Sequence, residues 1–336
     1  MIKASRKKAP NVYAIIKKLL PFPEVSSLRA YLCEWDMIVG AGHAEYKLLL
    51  DPRNCPTIYI GHGPQNKCLP GARTTITYDQ SAFKKRSIFN LYKKDQPIYS
   101  RMFEEDEKVR DLIVETIPSL NNVITVVGDM FYDNVLSEAN HREEFRRQLG
   151  IGPNETSVFV LSTWRPECLI ESVGDAFLEE SRKLLEEFQF TISVHPNEYV
   201  AKYPGQRVWG EYLRTQREHG YIIREPDEDF IPHMVACDIV LTDHTCLADY
   251  AILLQKPIIC VPVNPEYIWK GSITWQLYQF APVLDDMRNL RKALLDAKTN
   301  YPMDKLKKLA NEMNPFAGRS TERIKKEIYQ VLGLVS

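Results

Sequence analysis

Short apolar runs alternate along most of this chain with stretches whose apolar residues recur at helical spacing. Residues 37–40, 57–61, 123–127, 157–161, 190–194, 221–224, 238–242 and 258–262 are mostly near-continuous aliphatic and β-branched runs rather than alternating ones. That is the pattern of strands buried on both faces of a parallel sheet. Separated by helices, such strands predict a doubly wound α/β architecture. The most informative stretch is 238–262, DIVLTDHTCLADYAILLQKPIICVP. Thr242-Asp243-His244-Thr245 interrupts its first strand, residues 245–254 carry a helical pattern, and Lys256-Pro257 ends that helix before a second buried strand. The helix thus opens on small hydroxyl and thiol residues just past a strand's carboxyl end. Backbone N–H groups and the positive helix end hold phosphate in such a place without needing a lysine. An ordinary capped crossover reads the same way, so the segment alone leaves both readings open.

A charged helical stretch, 141–147, leads into LGIGPNE (149–155) and then a fresh strand. This is the expected seam between two Rossmann-like domains, residues 1–150 and 151–336, with the last helix, 320–332, crossing back to the first. The amino-terminal domain reads as short, with three clear strands and a weaker one at 74–77. A length of 336 residues suits two domains of about 150.

Composition adds mostly exclusions. Hydrophobic residues at 44% and charged residues at 26% are those of a soluble globular protein. A net charge of −1 gives no bulk attraction for nucleic acid or an acidic membrane, and no nucleic-acid partner is expected. The seven cysteines include no CxxC pair, which argues against a disulfide framework or a zinc site and for a reducing cytoplasm. The seven histidines show no HxH or HExxH spacing, so neither a metal nor a cofactor is expected. No apolar run approaches about 18 residues and no signal-peptide pattern opens the chain. One local patch stands out in residues 3–20: Lys3, Arg6, Lys7, Lys8, Lys17 and Lys18 surround Val12, Ile15, Ile16, Leu19 and Leu20. It reads either as a basic amphipathic helix lying peripherally on anionic lipid at the inner face of the membrane, or as a solvated first helix.

Candidate chemistry sits at predicted strand ends. Gly61-His62-Gly63-Pro64 directly follows the strand at 57–60. A histidine between glycines there is open to ligand, and its ordinary pKa near 6.5 suits a general base. A turn histidine bonded to its own loop is the other reading. Lys67, at the end of that loop, meets a phosphate or solvent. His195-Pro196 ends the strand at 190–194, so each half offers a strand-end histidine. Thr163-Trp164-Arg165 follows the strand at 157–161, where Arg165 has the geometry for a bidentate phosphate contact or is a surface arginine beside a core tryptophan. Gly128-Asp129 marks a further strand-end turn.

In fixed order the chain carries GHGPQNK (61–67), VVGDMFYDNVL (126–136), STWRPE (162–167), SVHPNEY (193–199), DFIPHMVACDIVLTDHTCLADY (229–250), KPII (256–259) and GRSTERI (318–324). From about residue 36 to 330 this set resembles the CDP-glycerol glycerophosphotransferases that prime and polymerise teichoic acids and related capsule polymers. The resemblance implies a GT-B fold with the active site in the cleft between two Rossmann-like domains. It implies transfer of glycerol phosphate, or a similar polyol phosphate, from a CDP-activated donor to a hydroxyl of a polymer or lipid-linked acceptor, releasing CMP. His62 would then be the base, and His195 would hold or neutralise the donor pyrophosphate. Thr245 and Cys246 would bind its phosphates and Asp249 would contact the donor. Arg165 would be a weaker donor-side residue, and Lys67, Asp243 and Ser320 further possible ones.

The chain departs from the family pattern in several places. Thr245-Cys246 stands where members carry two serines, His244 where they carry tyrosine, and Met130-Phe131 where a proline-arginine pair is expected. The loop after His62 usually reads Gly-Thr-Pro-Leu-Lys and here reads Gly63-Pro64-Gln65-Asn66-Lys67. Two alternatives stand beside the transferase: a GT-B glycosyltransferase or epimerase using a nucleotide sugar, and a non-catalytic scaffold subunit of polymer assembly.

Overall fold

The computed structural model describes residues 36–40, 56–60, 92–93, 96–97, 99–116, 118–164, 168–201, 207–313 and 316–334. The chain divides into two compact units, Met1–Asp133 with Asn314–Ser336, and Asn134–Met313. His62, Lys67, Arg165, the basic segment 3–20 and the weak strand at 74–77 lie outside the described residues.

In the first unit, β1 (Ile38–Gly40) and β2 (Thr57–Ile60) are followed by a two-stranded antiparallel ribbon, β3 (Tyr92–Lys93) with β4 (Gln96–Pro97). Then come β5 (Arg101–Glu104), α1 (Glu107–Thr116), β6 (Ile124–Val126) and α2 (Met130–Glu138), the last running on into the second unit. Four strands form a parallel sheet in the order β1-β2-β5-β6. Ile58, Tyr59, Met102 and Phe103 are buried in its middle, as continuous apolar strands require. β5 had no sequence expectation, because Arg101 and Glu104 bracket an apolar pair too short to stand out. Asp129 caps α2, its Oδ1 accepting from Phe131 N at 2.7 Å.

The second unit runs α3 (Arg142–Gln148), β7 (Thr156–Ser162), α4 (Leu169–Arg182), β8 (Phe188–Val194), α5 (Trp209–Thr215), β9 (Ile222–Ile223) and α6 (Ile231–Ala236). It continues through β10 (Ile239–Thr242), α7 (Ala248–Leu253), β11 (Ile258–Cys260), α8 (Ile273–Tyr278), α9 (Leu290–Thr299) and α10 (Met303–Met313). Its five strands are all parallel, in the order β11-β10-β7-β8-β9. All seven residues of β7 are buried. Val158, Val160, Phe177, Phe190, Leu241 and Leu294 belong to one core that joins the sheet to its helices.

Polar residues fasten this unit at two points. The Arg146 side chain is buried and donates to the carbonyls of Gly152, Glu155 and Ala236 and to Asp238 Oδ2, so the segment 149–155 is bolted to α6 and β10. Lys256 Nζ donates to the carbonyls of Val235 and Cys237 at 3.1 and 2.8 Å, satisfying the carboxyl end of α6. Burial lowers its pKa.

The last helix, α11 (Ser320–Val331), packs in the first unit. Thr321 N donates to Asp133 Oδ2 at 2.7 Å and the Arg323 guanidinium to the Val126 carbonyl at 2.9 Å, while Arg323 lies 3.9 Å over the Phe316 ring. Gly128 has a positive φ of 86°, and a Cβ there would lie 2.3 Å from Ser320 Oγ. Both conformation and space demand glycine. Among the described residues, no helix is long and apolar enough to cross a membrane.

Candidate active site

Strand order locates the site in the second unit. The chain lays β7, β8 and β9 outward in one direction, then returns to place β10 and β11 on the other side of β7. The connections leaving β7 and β10 therefore diverge, and the gap beyond their carboxyl ends is where open α/β sheets bind ligands. Three neighbouring strands, β10, β7 and β8, end there in Asp243-His244-Thr245-Cys246, Thr163-Trp164 and His195.

Two βα turns flank this switch point, and each has amides suited to an anion. The turn from β7 to α4 is already filled. Asp243 is completely buried, and its carboxylate accepts from Thr163 N at 2.9 and 3.1 Å, Leu169 N at 2.8 Å and Ser162 Oγ at 3.2 Å. Leu169 is the first residue of α4, so this carboxylate sits at the positive end of a 14-residue helix, which favours its charge. Sequence reasoning placed Asp243 among possible donor contacts; its described hydrogen bonds are to the loop between β7 and α4. That loop contains Trp164 and is pinned at both ends by one side chain.

The turn from β10 to α7 is shaped differently from its expectation. A helix was predicted from residue 245, but α7 begins at Ala248. Tight i to i+3 bonds lead into it: Ala248 N donates to the Thr245 carbonyl and Asp249 N to that of Cys246, both at 3.2 Å, and Tyr250 N to that of Leu247 at 3.3 Å. The carboxylate of Asp243 draws the turn down toward the β7 loop, which uses residues 243–247 for the bend. Thr245 is buried, Cys246 half-buried, and Asp249 fully enclosed in the first turn of α7.

His195 ends β8 on the other side of β7. Its backbone N donates to the Ser162 carbonyl at 3.0 Å, holding it level with the end of β7. Its ring caps a short 3-10 turn over Pro196–Tyr199, Nδ1 accepting from Asn197 N at 3.1 Å. The half-buried Trp164 lies beside it, ring centroids 5.8 Å apart at 39°. Trp164 was noted in the sequence solely as a neighbour of Arg165; the parallel register of β7 with β8 was the missing information.

Burial distinguishes the described cysteines. It pushes the Cys168 thiol up to about 12 and Cys237 up to about 11, and raises Cys260 further, where the Asp243 charge adds to the effect. Cys246 is the one of these four that is not buried.

Ser320 belongs to the first unit. Its Oγ donates to the Phe316 carbonyl at 3.3 Å and faces Gly128 in the first unit. At the carboxyl edge of that unit's sheet a shallow hollow is lined by Ile60, Phe103, Glu105, Val127, Asp129 and Met130, among others.

No protein-family model matches the chain, and no curated protein matches it by sequence. Solved structures do match. The wall teichoic acid polymerase TagF, in a form soaked with CDPG, is 13% identical over 98% of this chain and 87% of its own, with a TM-score of 0.69. The fold is of the GT-B type. MnaA of S. aureus in complex with UDP follows at 14% identity over 89% and 77%, with a TM-score of 0.55. The UDP-GlcNAc 2-epimerase of Neisseria meningitidis bound to UDP-GlcNAc stands at 18% over 88% and 75%, with a TM-score of 0.51. At these identities the likeness is one of fold: two Rossmann-like domains with parallel sheets.

Proposed function

We propose that this protein is a transferase that moves glycerol phosphate, or a related polyol phosphate, from a CDP-activated donor to a hydroxyl of a cell-wall or capsule polymer or its lipid-linked precursor, releasing CMP. The observation that carries the proposal is the switch point of the second unit. There the β7–α4 turn is filled by Asp243, which leaves the β10–α7 turn, with Thr245 and Cys246, as the place for the donor's phosphates. His195 stands at the same sheet edge, placed to hold the donor pyrophosphate and stabilise charge on the departing nucleotide. The ordered motifs of the sequence support the choice of a CDP donor, and likeness in fold to TagF is in keeping with it.

In this reading His62, in the glycine loop that follows β2, takes the proton of the acceptor hydroxyl. The hydroxyl oxygen bonds to the phosphorus that carries the polyol. The pyrophosphate P–O bond breaks, its electron pair leaving on the phosphate of CMP. Thr245 Oγ1 and the amides of Thr245 and Cys246 hold the phosphates, and Arg165 and Lys67 are further donor-side candidates. Asp249, in the first turn of α7, is the remaining donor-side candidate of this segment. No step in this scheme calls on a metal or a cofactor. Residues 3–20 would bring the protein to a lipid-linked acceptor at the inner membrane face.

Fold likeness to two UDP-binding enzymes favours a second reading, a nucleotide-sugar enzyme. Calorimetric titration with CDP-glycerol, CDP-ribitol, CMP, UDP-N-acetylglucosamine and UDP-glucose separates the two. Selective binding of cytidine nucleotides is expected, with the better CDP ligand naming the polyol. Selective uridine binding would replace the proposal with the second reading.

A further inference from the structure

A histidine that ends a strand can present either ring nitrogen, and which one carries the proton decides whether it gives or takes a hydrogen bond. In this chain the backbone makes the choice. Pro196 begins a 3-10 turn immediately after His195, and the turn brings Asn197 N to 3.1 Å from His195 Nδ1. An amide N–H can only donate, so Nδ1 must present its lone pair. The proton of the neutral ring then sits on Nε2.

The bond alone leaves the ring able to swing away. Ser162 of β7 pairs in register with Val194 of β8, so Trp164 and His195, each just beyond its strand, emerge at nearly one level. The indole lies 5.8 Å from the imidazole, tilted by 39°, and forms one side of the space in which the imidazole turns. The loop carrying it is itself held by Asp243 through Thr163 N and Leu169 N.

We propose that Trp164 is a positioning residue: with the amide of Asn197 it fixes His195 as the Nε2–H tautomer, so that His195 meets the anionic pyrophosphate of the activated donor as a hydrogen-bond donor and not as a base. The role toward the donor rests on the function proposed above; the tautomer does not.

The test uses the full chain labelled with 15N-histidine, with long-range 1H–15N correlation spectra assigned by comparison with His195→Gln. Wild type and Trp164→Phe are expected to show a protonated Nε2 and an unprotonated Nδ1 at His195, and Trp164→Ala a mixture of tautomers. In transfer assays with CDP-glycerol, Trp164→Ala should lower kcat about tenfold, within the roughly 10²-fold that misplacing a reacting or holding group can cost. KM for the acceptor should be unchanged, and Trp164→Phe should restore the rate. Trp164→Leu, which keeps apolar bulk without a ring, substitutes if the alanine variant fails to fold. An Nδ1–H tautomer in wild type, or an unaltered tautomer and kcat in Trp164→Ala, overturns the proposal. Failure of the wild type to bind CDP-glycerol overturns the donor role, while the spectra still decide the positioning role.

Discussion

Replacing Asp243 isolates what holds the candidate site together. Its carboxylate is fully buried and accepts from two backbone amides and one hydroxyl. Asp243→Ala leaves the Thr163 and Leu169 amides without that acceptor, at about 1–3 kcal/mol each. It also removes an anion from the start of α4, worth up to about 2 kcal/mol when partly buried. The carboxylate's own desolvation is relieved at the same time, so a net loss of about 3–5 kcal/mol is expected, as for breaking other buried charged contacts. For a unit of about 180 residues each kcal/mol corresponds to roughly 2–4 °C, so Tm should fall by roughly 6–20 °C. Asp243→Asn keeps the shape and one acceptor oxygen but sets an NH2 group against an amide N–H; it should lose about half as much. Ser162→Ala removes the weakest of the three donors and also the acceptor of the Ile170 amide, and should cost about 1–1.5 kcal/mol. Urea unfolding of the four proteins, followed by tryptophan fluorescence, gives the order Ala, Asn, Ser162→Ala, wild type. If Asp243→Ala lies within about 1 kcal/mol of wild type, the neighbouring amides are satisfied without it. The amides of the β7–α4 turn would then be open to donor phosphate as well.

Other expectations can be checked separately. His62→Ala should abolish transfer while calorimetry shows donor binding nearly intact, and equal loss of both would remove the base assignment. Among the described cysteines, Cys246 should be the first alkylated near pH 8, since burial raises the thiols of Cys168, Cys237 and Cys260. CDP-glycerol should protect it, and peptide mapping showing no protection would place the donor elsewhere. Gly128→Ala puts a Cβ 2.3 Å from Ser320 Oγ at a φ of +86°, and should destabilise by about 2 kcal/mol or more. Limited proteolysis should then release the α11 segment first. Glu225 accepts from Arg214 and Arg217, and the Arg214 hydrogen bond leads in lowering its pKa. A lowered folded-state pKa contributes stability above the unfolded value near 4.5 and loses it as pH falls through the folded one. Glu225→Gln should therefore unfold with a shallower dependence on pH in acid, and an unchanged profile would contradict the pairing.

Much of the second unit was legible because its strands are long enough to speak for themselves. The run at 157–161 became a seven-residue buried strand, and those at 190–194, 238–242 and 258–262 were placed within a residue or two. Parallel strands buried on both faces write their burial directly into composition. β5 escaped for the converse reason, two apolar residues between charged ends. What the sequence could not supply was lateral order. Trp164 and His195 are 31 residues apart in sequence and meet because β7 pairs with β8. Asp243 and Leu169 meet because β10 lies on the other flank of β7. Each contact depends on which strands are neighbours, a property that no local pattern encodes.

That dependence also explains why two charged residues in the family-like motifs serve within the fold. Lys256, in KPII, satisfies the carbonyls of Val235 and Cys237 at the end of α6, and Asp243 fills the start of α4. Both lie beside the β10 connection, one at each end of the strand. A motif around a ligand-binding turn must fix the turn before it can present anything to a ligand. Here the polar residues divide accordingly: enclosed Asp243 holds the β7 loop and the start of α4, while Thr245 and Cys246 follow it in the turn. Exchange of two serines for Thr245-Cys246 keeps the backbone course, because amides and i to i+3 bonds define it. In the proposed function it changes what faces the donor's polyol-bearing phosphate, from two hydroxyls to one hydroxyl and one thiol. A thiol is a weak hydrogen-bond donor. Cys246→Ser should therefore alter the preference among CDP-activated alcohols more than it alters affinity for CMP, a comparison that the same calorimetric panel makes directly. Equal shifts for CMP and the CDP-alcohols would instead place Cys246 against the nucleotide phosphate.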